Sequence, residues 1–367
     1  MFVNSTRLPH LLRPRLYSCP AQYELELSRL FIPSWLAIGS VSNAPNDGDF
    51  FTCEHLGQPI LVRNSHGTMH TFLNVCPHRH CLLTHAGSGN SRTLTCQYHG
   101  WEFREDGCTG RIPDAKSFRP FPGGPECLKK FRTEVRGPLV FVSLNDDAPD
   151  LTRQLGPLTH VCDEFPAARW RQADCWSYDV PANWKVVVEN TLESYHVPTI
   201  HPRTLIRYGL EEEIEHEVGD VSTIMRSPIA SPAAYRRVAD WLLRSLEPGC
   251  THMYRLYHGF PNVFLIRIDA MLQFMIVTPI SPEKCRLTVY VFILRAAREN
   301  LRSRLLTRAW GKFKCSVIRA ILAEDARLYP DLQRGMKSSP FEGTISTREE
   351  LVYAFQDYVY RGCGLSG

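Results

Sequence analysis

The chain has 367 residues, 44% of them hydrophobic and 22% charged, with a formal net charge of +4. That balance is ordinary for a soluble globular protein, and the length is comfortable for two domains. Lys and Arg form no long block and no run reaches the ~18–20 apolar residues of a membrane span, so neither a nucleic-acid partner nor a membrane is expected.

The first residues, MFVNSTRLPHLLRPRLYSCP, are broken by Arg and Pro and lack the apolar core of a signal peptide; a cytoplasmic protein is expected. Residues 18–36 predict a helix: Ser18 can cap it, Pro20 suits its first turn, and Tyr23, Leu27, Leu30 and Phe31 recur on one face. From 38 to 145 short β-rich runs (PILVR, TMHTFLNV, RTLTCQYHG, PLVFVSL) alternate with Gly, Asn and Asp, the texture of a small antiparallel β domain. Residues 146–157 read as a linker. A second domain follows, with WKVVVENTLESYH as a helical stretch, several apolar β runs over 262–294, and a long amphipathic helix from about 299 to 329. The stretch 202–258 is charged, with scattered Pro, and gives no clear pattern. The fold class expected is α+β, an antiparallel sheet against a long helix. The boundaries are a helical segment 1–37 packing on the second domain, a β domain 38–150 and a catalytic domain 151–367.

Thirteen cysteines are many, but they are scattered and odd in number, which does not read as a disulfide framework. Two of them have a better use. Cys76 and His78 form one tight pair, and Cys96 and His99 another, within residues 76–103. Two Cys and two His could close a tetrahedral zinc site. Zinc fingers, however, favour Cys with Cys and His with His at short range, whereas each pair here mixes a thiolate with an imidazole. Two loops that each offer one ligand to each iron of a [2Fe–2S] pair fit that mixture.

The segment from CPHR to CQYHGW resembles the Rieske signature of ring-hydroxylating oxygenase α subunits, a family of non-haem iron enzymes. It departs at His80–Cys81, where the family has Gly and a small residue. Further on, ENTLESYHVPTIHP resembles the family's mononuclear-iron motif. On a straight helix His196 and His201 would point about 140° apart, so Pro198 is expected to break the helix between them. Read without the resemblance, two ordinary surface or capping histidines are an equal alternative. AEDARLYPDLQRG resembles the family's C-terminal segment and places Asp325 as the third ligand of a two-His, one-carboxylate triad. Pro330 stands where that pattern has Glu, and Glu324 and Asp331 are rival acids. Glu193, read as one helical turn before His196, takes the place of an acid that in the family links an iron histidine to the Rieske histidine of a neighbouring subunit. Asn190 and Tyr195 are further candidates near the iron.

The resemblance implies a Rieske domain followed by a helix-grip catalytic domain, with a [2Fe–2S] cluster on Cys76, His78, Cys96 and His99 and Fe(II) on His196, His201 and Asp325. It implies O₂ as co-substrate, a homotrimer that leaves a β subunit open, and electrons from NAD(P)H through a separate reductase, with or without a ferredoxin. No G-x-G-x-x-G fingerprint follows a strand in this chain. The expected function is hydroxylation or oxidative demethylation of a small aromatic compound or quaternary amine. The rival is a Rieske-type electron-transfer protein without oxygenase activity. Apolar residues of the 253–294 strands, such as Phe264 or Phe274, are expected to line the substrate pocket, although these two are first of all core candidates.

Overall fold

Pro20 opens the first helix, α1 (Pro20–Glu26), which runs on through a wider π-type turn at Leu27–Phe31. It is shorter than the pattern over 18–36 predicts. Pro33 disfavours helical backbone at the residue before it, and Trp35–Ser40 is already a strand. The computed structural model describes residues 2–118, 126–205, 213–229, 233–243, 246, 252–296 and 298–365. Residues 206–212 and 230–232, part of the stretch without clear sequence pattern, lie outside them. The chain divides into two compact units, residues 32–149 and residues 1–31 with 150–367.

The smaller unit holds a seven-stranded antiparallel sheet. Its strands in chain order are β1 (Trp35–Ser40), β2 (Asp49–His55), β3 (Gln58–Ser65), β4 (Thr68–Leu73) and β5 (Ser88–Asn90). A separate hairpin pairs β6 (Leu94–Thr95) with β7 (Glu102–Phe103), and β8 (Lys130–Arg136) and β9 (Leu139–Ser143) return to the sheet. The order across the sheet is β1-β9-β8-β4-β3-β2-β5. Successive side chains of a strand point to opposite faces, and both faces are covered here. Phe51, Ile60 and Val62 join one core. Phe50, Leu61 and Phe72 join the other, together with Cys76, Cys96 and Trp101. A disulfide joins Cys108 to Cys127 in this unit; the sequence pattern had not singled out that pair.

The larger unit holds a second seven-stranded antiparallel sheet. Its strands are β10 (Trp170–Val180), β11 (Glu215–Val218), β12 (Ser222–Pro228), β13 (Met253–Gly259), β14 (Val263–Ile268), β15 (Met271–Ser281) and β16 (Lys284–Leu294). They are ordered β10-β16-β15-β14-β13-β12-β11. Its helices include α2 (Trp184–Leu192), the short α3 (Val197–Ile200), α4 (Ala233–Leu243), α5 (Leu301–Ala326), α6 (Tyr329–Ser338) and α7 (Glu350–Gly362). Asn300 and Ser303 form a reciprocal capping box that starts α5. This helix packs on β10 and β16. Gly311 allows the approach, because a Cβ there would stand 3.0 Å from Ala173 Cβ and 3.3 Å from Ile293 Cγ1. At the other end, α5 stops at Ala326 and Pro330 falls in the first turn of α6.

Asn183 caps α2 through its side chain, which accepts from Lys185 N. Glu26 of α1 accepts from Trp184 Nε1 at 2.7 Å and Lys185 Nζ at 2.6 Å, with both charged side chains fully buried. Removing either charge alone would strand the other, at a cost of about 3–5 kcal/mol. The N-terminal helix is thereby pinned to the helix that leads into the histidine segment.

Candidate functional site

The two loops at the edge of the smaller core repeat one turn. His80 N donates to Cys76 O, and Gly100 N donates to Cys96 O, both at 3.0 Å. Each turn ends in left-handed backbone, φ 58° at His80 and 69° at Gly100. The departure at residue 80 thus falls where glycine is unstrained; among other residues Asn, Asp and His enter that region most readily.

Both sulfurs are buried and both imidazoles are half-exposed. Like pairs with like: the thiols of Cys76 and Cys96 are in contact, and the rings of His78 and His99 lie 4.7 Å apart. Trp101 stacks on His78 at 4.7 Å and Phe118 meets its edge at 5.4 Å, which fixes that imidazole. Burial pushes the Cys76 thiol up to about 11; contact with Cys96 adds to the rise, while the N–H groups of His78 and Arg79 pull against it. Coordination to a metal reverses that balance, because a bound thiol is deprotonated. N–H groups aimed at sulfur are what an iron–sulfur cluster uses to set its potential. Among the described residues, Cys76, His78, Cys96 and His99 do not converge on one point. A sulfur pair on one side and an imidazole pair on the other fits two irons better than one zinc ion.

In the larger unit α2 ends at Leu192, and Glu193 is extended, with φ −122° and ψ 162°. Glu193 and His196 therefore do not share a helix, contrary to the sequence expectation. The Glu193 carboxylate accepts from the backbone N–H groups of Tyr195 and His196, which caps the turn that follows. His196 and His201 bracket α3 as its N-cap and C-cap. Pro198 does not break a helix between them. It sits in the first turn of α3, where its missing donor costs nothing.

His196, His201 and Asp325 each offer one ligand atom within 4.8 Å of the others. Asp325 Oδ1 lies 3.0 Å from His201 Nε2 and 3.5 Å from His196 Nε2. It is buried without a hydrogen-bond partner among the described residues. The other nitrogens are occupied: His196 Nδ1 contacts the Glu193 carboxylate, and His201 Nδ1 contacts Glu324 Oε2 at 2.7 Å. A proton held on each Nδ1 by a carboxylate leaves each Nε2 with a lone pair aimed at the orphaned oxygen. A divalent metal fits that donor set, with further positions open.

Glu324 is thus placed behind His201, with Thr204 donating to the same oxygen at 2.5 Å. Consecutive residues on a helix point about 100° apart, so the adjacent Glu324 and Asp325 address opposite sides of one imidazole. That adjacency was the available signal for Glu324, and Thr204 had none. Asp331 lies in the first turn of α6 and outside the converging set. Asn190 Nδ2 reaches Tyr329 OH at 3.5 Å. Tyr195 is 61% exposed, with Arg348 over its ring, and does not line the site.

A cavity of about 280 Å³ opens on His196, His201 and Asp325. Its walls include Ile266, Met271, Gln273 and Met275 of β14 and β15, and Ile318 and Leu322 of α5. Phe264 and Phe274 are not among them. Phe274 lies on the opposite face of β15 from Gln273 and Met275 and packs on Phe292, while Phe264 stacks on His258 in the core. No helix among the described residues is long and apolar enough to cross a membrane.

Residues 34–131 match the Rieske [2Fe-2S] domain model, and residues 167–364 match that of the ring hydroxylating alpha subunit (catalytic domain). The chain is 33% identical over 217 residues to biphenyl 2,3-dioxygenase subunit alpha of Rhodococcus jostii, covering 56% of this chain and 46% of the relative. It is 32% identical over 198 residues to toluate 1,2-dioxygenase subunit alpha of Pseudomonas putida, covering 51% and 43%. The chain spans about half the length of these curated relatives. Chloroplastic choline monooxygenase of Arabidopsis thaliana aligns over 360 residues at 25% identity, covering 92% of this chain and 79% of that one. Among solved structures, a quaternary ammonium Rieske monooxygenase superposes with a TM-score of 0.79 at 20% identity, covering 97% and 95% of the two chains. Naphthalene 1,2-dioxygenase with bound indole gives 0.76 at 17%, covering 98% and 95%.

Proposed function

This chain belongs to the ring-hydroxylating α-subunit family of Rieske oxygenases, and on that premise we propose that it is a terminal oxygenase that hydroxylates or oxidatively demethylates a small organic substrate. The observation that carries the reading is the convergence of His196, His201 and Asp325 on one point at the end of an apolar cavity, in a chain that also holds the Cys76–His78 and Cys96–His99 loops. An electron-transfer protein has no use for that second centre, and the cavity beside it favours an oxygenase.

Cys76, Cys96, His78 and His99 would hold the [2Fe–2S] cluster, and His196, His201 and Asp325 the mononuclear iron. Loaded, the cluster supplies single electrons and the iron supplies a place for O₂ activation. Glu193 and Glu324 keep the two imidazoles in the tautomer that presents Nε2, and they resist rotation of either ring. The apolar walls exclude water from the substrate's reacting end. Electrons would come from NAD(P)H through a separate reductase, with or without a ferredoxin. By resemblance, a homotrimer would set Glu193 between His196 and the His99 of a neighbouring chain.

The test is substrate-dependent NADH and O₂ consumption with a matched reductase, across aromatic acids, quaternary amines and methyl ethers. Product formation coupled to O₂ uptake is expected with at least one class. Electron acceptance by the cluster with no oxidation of any substrate would favour the electron-transfer reading.

A further inference from the structure

The cavity is polar at both ends. One face of α5 runs along it: Asp325 at the iron end, then Leu322, Ile318 and Ile321, then Lys314 and Trp310. Eleven residues separate Asp325 from Lys314, roughly 16 Å of helix at 1.5 Å per residue. An engineered cavity of about 150 Å³ with apolar walls takes one benzene ring. The 280 Å³ here therefore suits a body of about two rings.

At the far end Lys314 Nζ lies 4.8 Å from the Trp310 ring centre. Trp310 is 9% exposed, and its indole N–H is buried with no acceptor among the described residues. Asp269, in the turn between β14 and β15, exerts its charge on Lys314. The same carboxylate accepts from His252 N at 3.1 Å and stands 3.7 Å from His252 Nδ1, while His252 Nε2 is 2.8 Å from Asp240 of α4. Asp269 is thus divided between two partners. Lys314 is the one Lys or Arg among the described residues lining the cavity. Burial pushes its ammonium down to about 8, with Asp269 opposing the fall, so it is charged at neutral pH and poorly solvated.

Resting on the oxygenase reading of this cavity, we propose that its substrate is an elongated apolar molecule ending in a carboxylate or similar anion, received by Lys314 and the Trp310 indole N–H at the end remote from the iron ligands. A quaternary ammonium at that end would face a like charge, and the Trp310 face it would stack on already carries Lys314. Nor do the described residues at the iron end offer an aromatic cage. Tyr254, the other Tyr or Trp among the described lining residues, is paired across the sheet with Ile268, beside Asp269. An anion at Lys314 supplies the acceptor that the buried indole lacks and places hydrocarbon against Leu322 and Ile321, near the iron ligands.

The experiment uses metal-loaded protein and four probes on one biphenyl frame: para-biphenylcarboxylate, its methyl ester, biphenyl, and para-biphenyl trimethylammonium. Binding is read by calorimetry without reductase, and kcat/KM with a matched reductase. The acid should bind roughly tenfold or more tighter than biphenyl, the discrimination a buried polar partner gives. Lys314→Met and Trp310→Phe should each shrink the acid-to-biphenyl ratio, and Lys314→Arg should keep it. The proposal is overturned if the wild type does not prefer the acid, if it binds the ammonium probe best, if none of the four binds, or if the ratio survives both Lys314→Met and Trp310→Phe. A Lys314-dependent preference for the acid in binding, with no probe oxidised, would uphold the subsite and count against the oxygenase reading instead.

Discussion

Cys76, His78, Cys96 and His99 come from two neighbouring turns that repeat one backbone hydrogen bond, whereas His201 meets Glu324 across 123 residues of chain. The first centre carries its geometry in local backbone, with left-handed turn ends at His80 and Gly100. The second has little local geometry, since its histidines flank a helix of four residues and its acid sits at the end of a long helix. What replaces it is a carboxylate behind each imidazole, Glu193 and Glu324. A local centre can rest on its loop; a dispersed one needs each ligand oriented separately.

The largest expected effect separates the two centres outright. Cys96→Ser should bleach the visible spectrum of the cluster, while His201→Ala should leave the spectrum intact and abolish turnover. Equal loss of colour in both variants would break the comparison. Asp325→Ala should likewise lose the mononuclear iron and keep the cluster. Normal iron content and turnover in that variant would move the ligand role to another acid.

Glu193→Gln keeps the side chain's length but removes its charge and one acceptor. Both metals should be retained and the assembly should keep its mass in solution. Reoxidation of a pre-reduced cluster in a single turnover should slow markedly. An unimpaired rate would reduce Glu193 to the capping role visible in its backbone contacts. Glu324→Gln should be milder, weakening mononuclear iron about 10–100-fold with the cluster untouched. An unchanged affinity on equilibrium dialysis would show that the Nδ1 contact of His201 orients nothing.

The smallest effect concerns stability, where the two units should behave alike. Burial holds His55 in the smaller unit down to about 4, and His258 in the larger down to about 3. Both values lie below that of a solvated imidazole. The unfolded chain therefore takes up the proton first as pH falls, and stability is lost from about pH 6.5 downward, at about 1.4 kcal/mol per pH unit for each group. His258 packs among Phe260, Phe264 and Phe355, so His258→Phe should fit. It should flatten the fall in melting temperature between neutral and mildly acid pH, and an unchanged slope would show that His258 already carries its proton in the fold.

Legibility in the sequence followed the same division. The Cys76–His78 and Cys96–His99 pairs could be read as a metal site from spacing, with zinc set aside only by the mixed pairs and the resemblance, because a turn that presents two metal ligands must place them close together in the chain. Nothing in the spacing of His196 and His201 revealed their convergence, which depends on a helix ending at Leu192 and restarting at Val197. The resemblance supplied Asp325 and Glu193, but placed Glu193 on a helix that had already stopped. Glu324 was visible as an acid beside an acid, without its role. Phe264 and Phe274 read as core first and pocket second, and strand alternation and the contact with His258 place them in the core. Lys314 and Trp310 lay inside an amphipathic helix, where a lysine reads as solvated surface until the opposite wall is known.

Two separate metal centres in one chain carry the proposed function. Iron and acid-labile sulfide analysis of protein reconstituted without oxygen measures this directly. About three irons and two sulfides per chain are expected, two irons with the Cys/His loops and one with His196, His201 and Asp325. A single tightly bound zinc and no sulfide would contradict it.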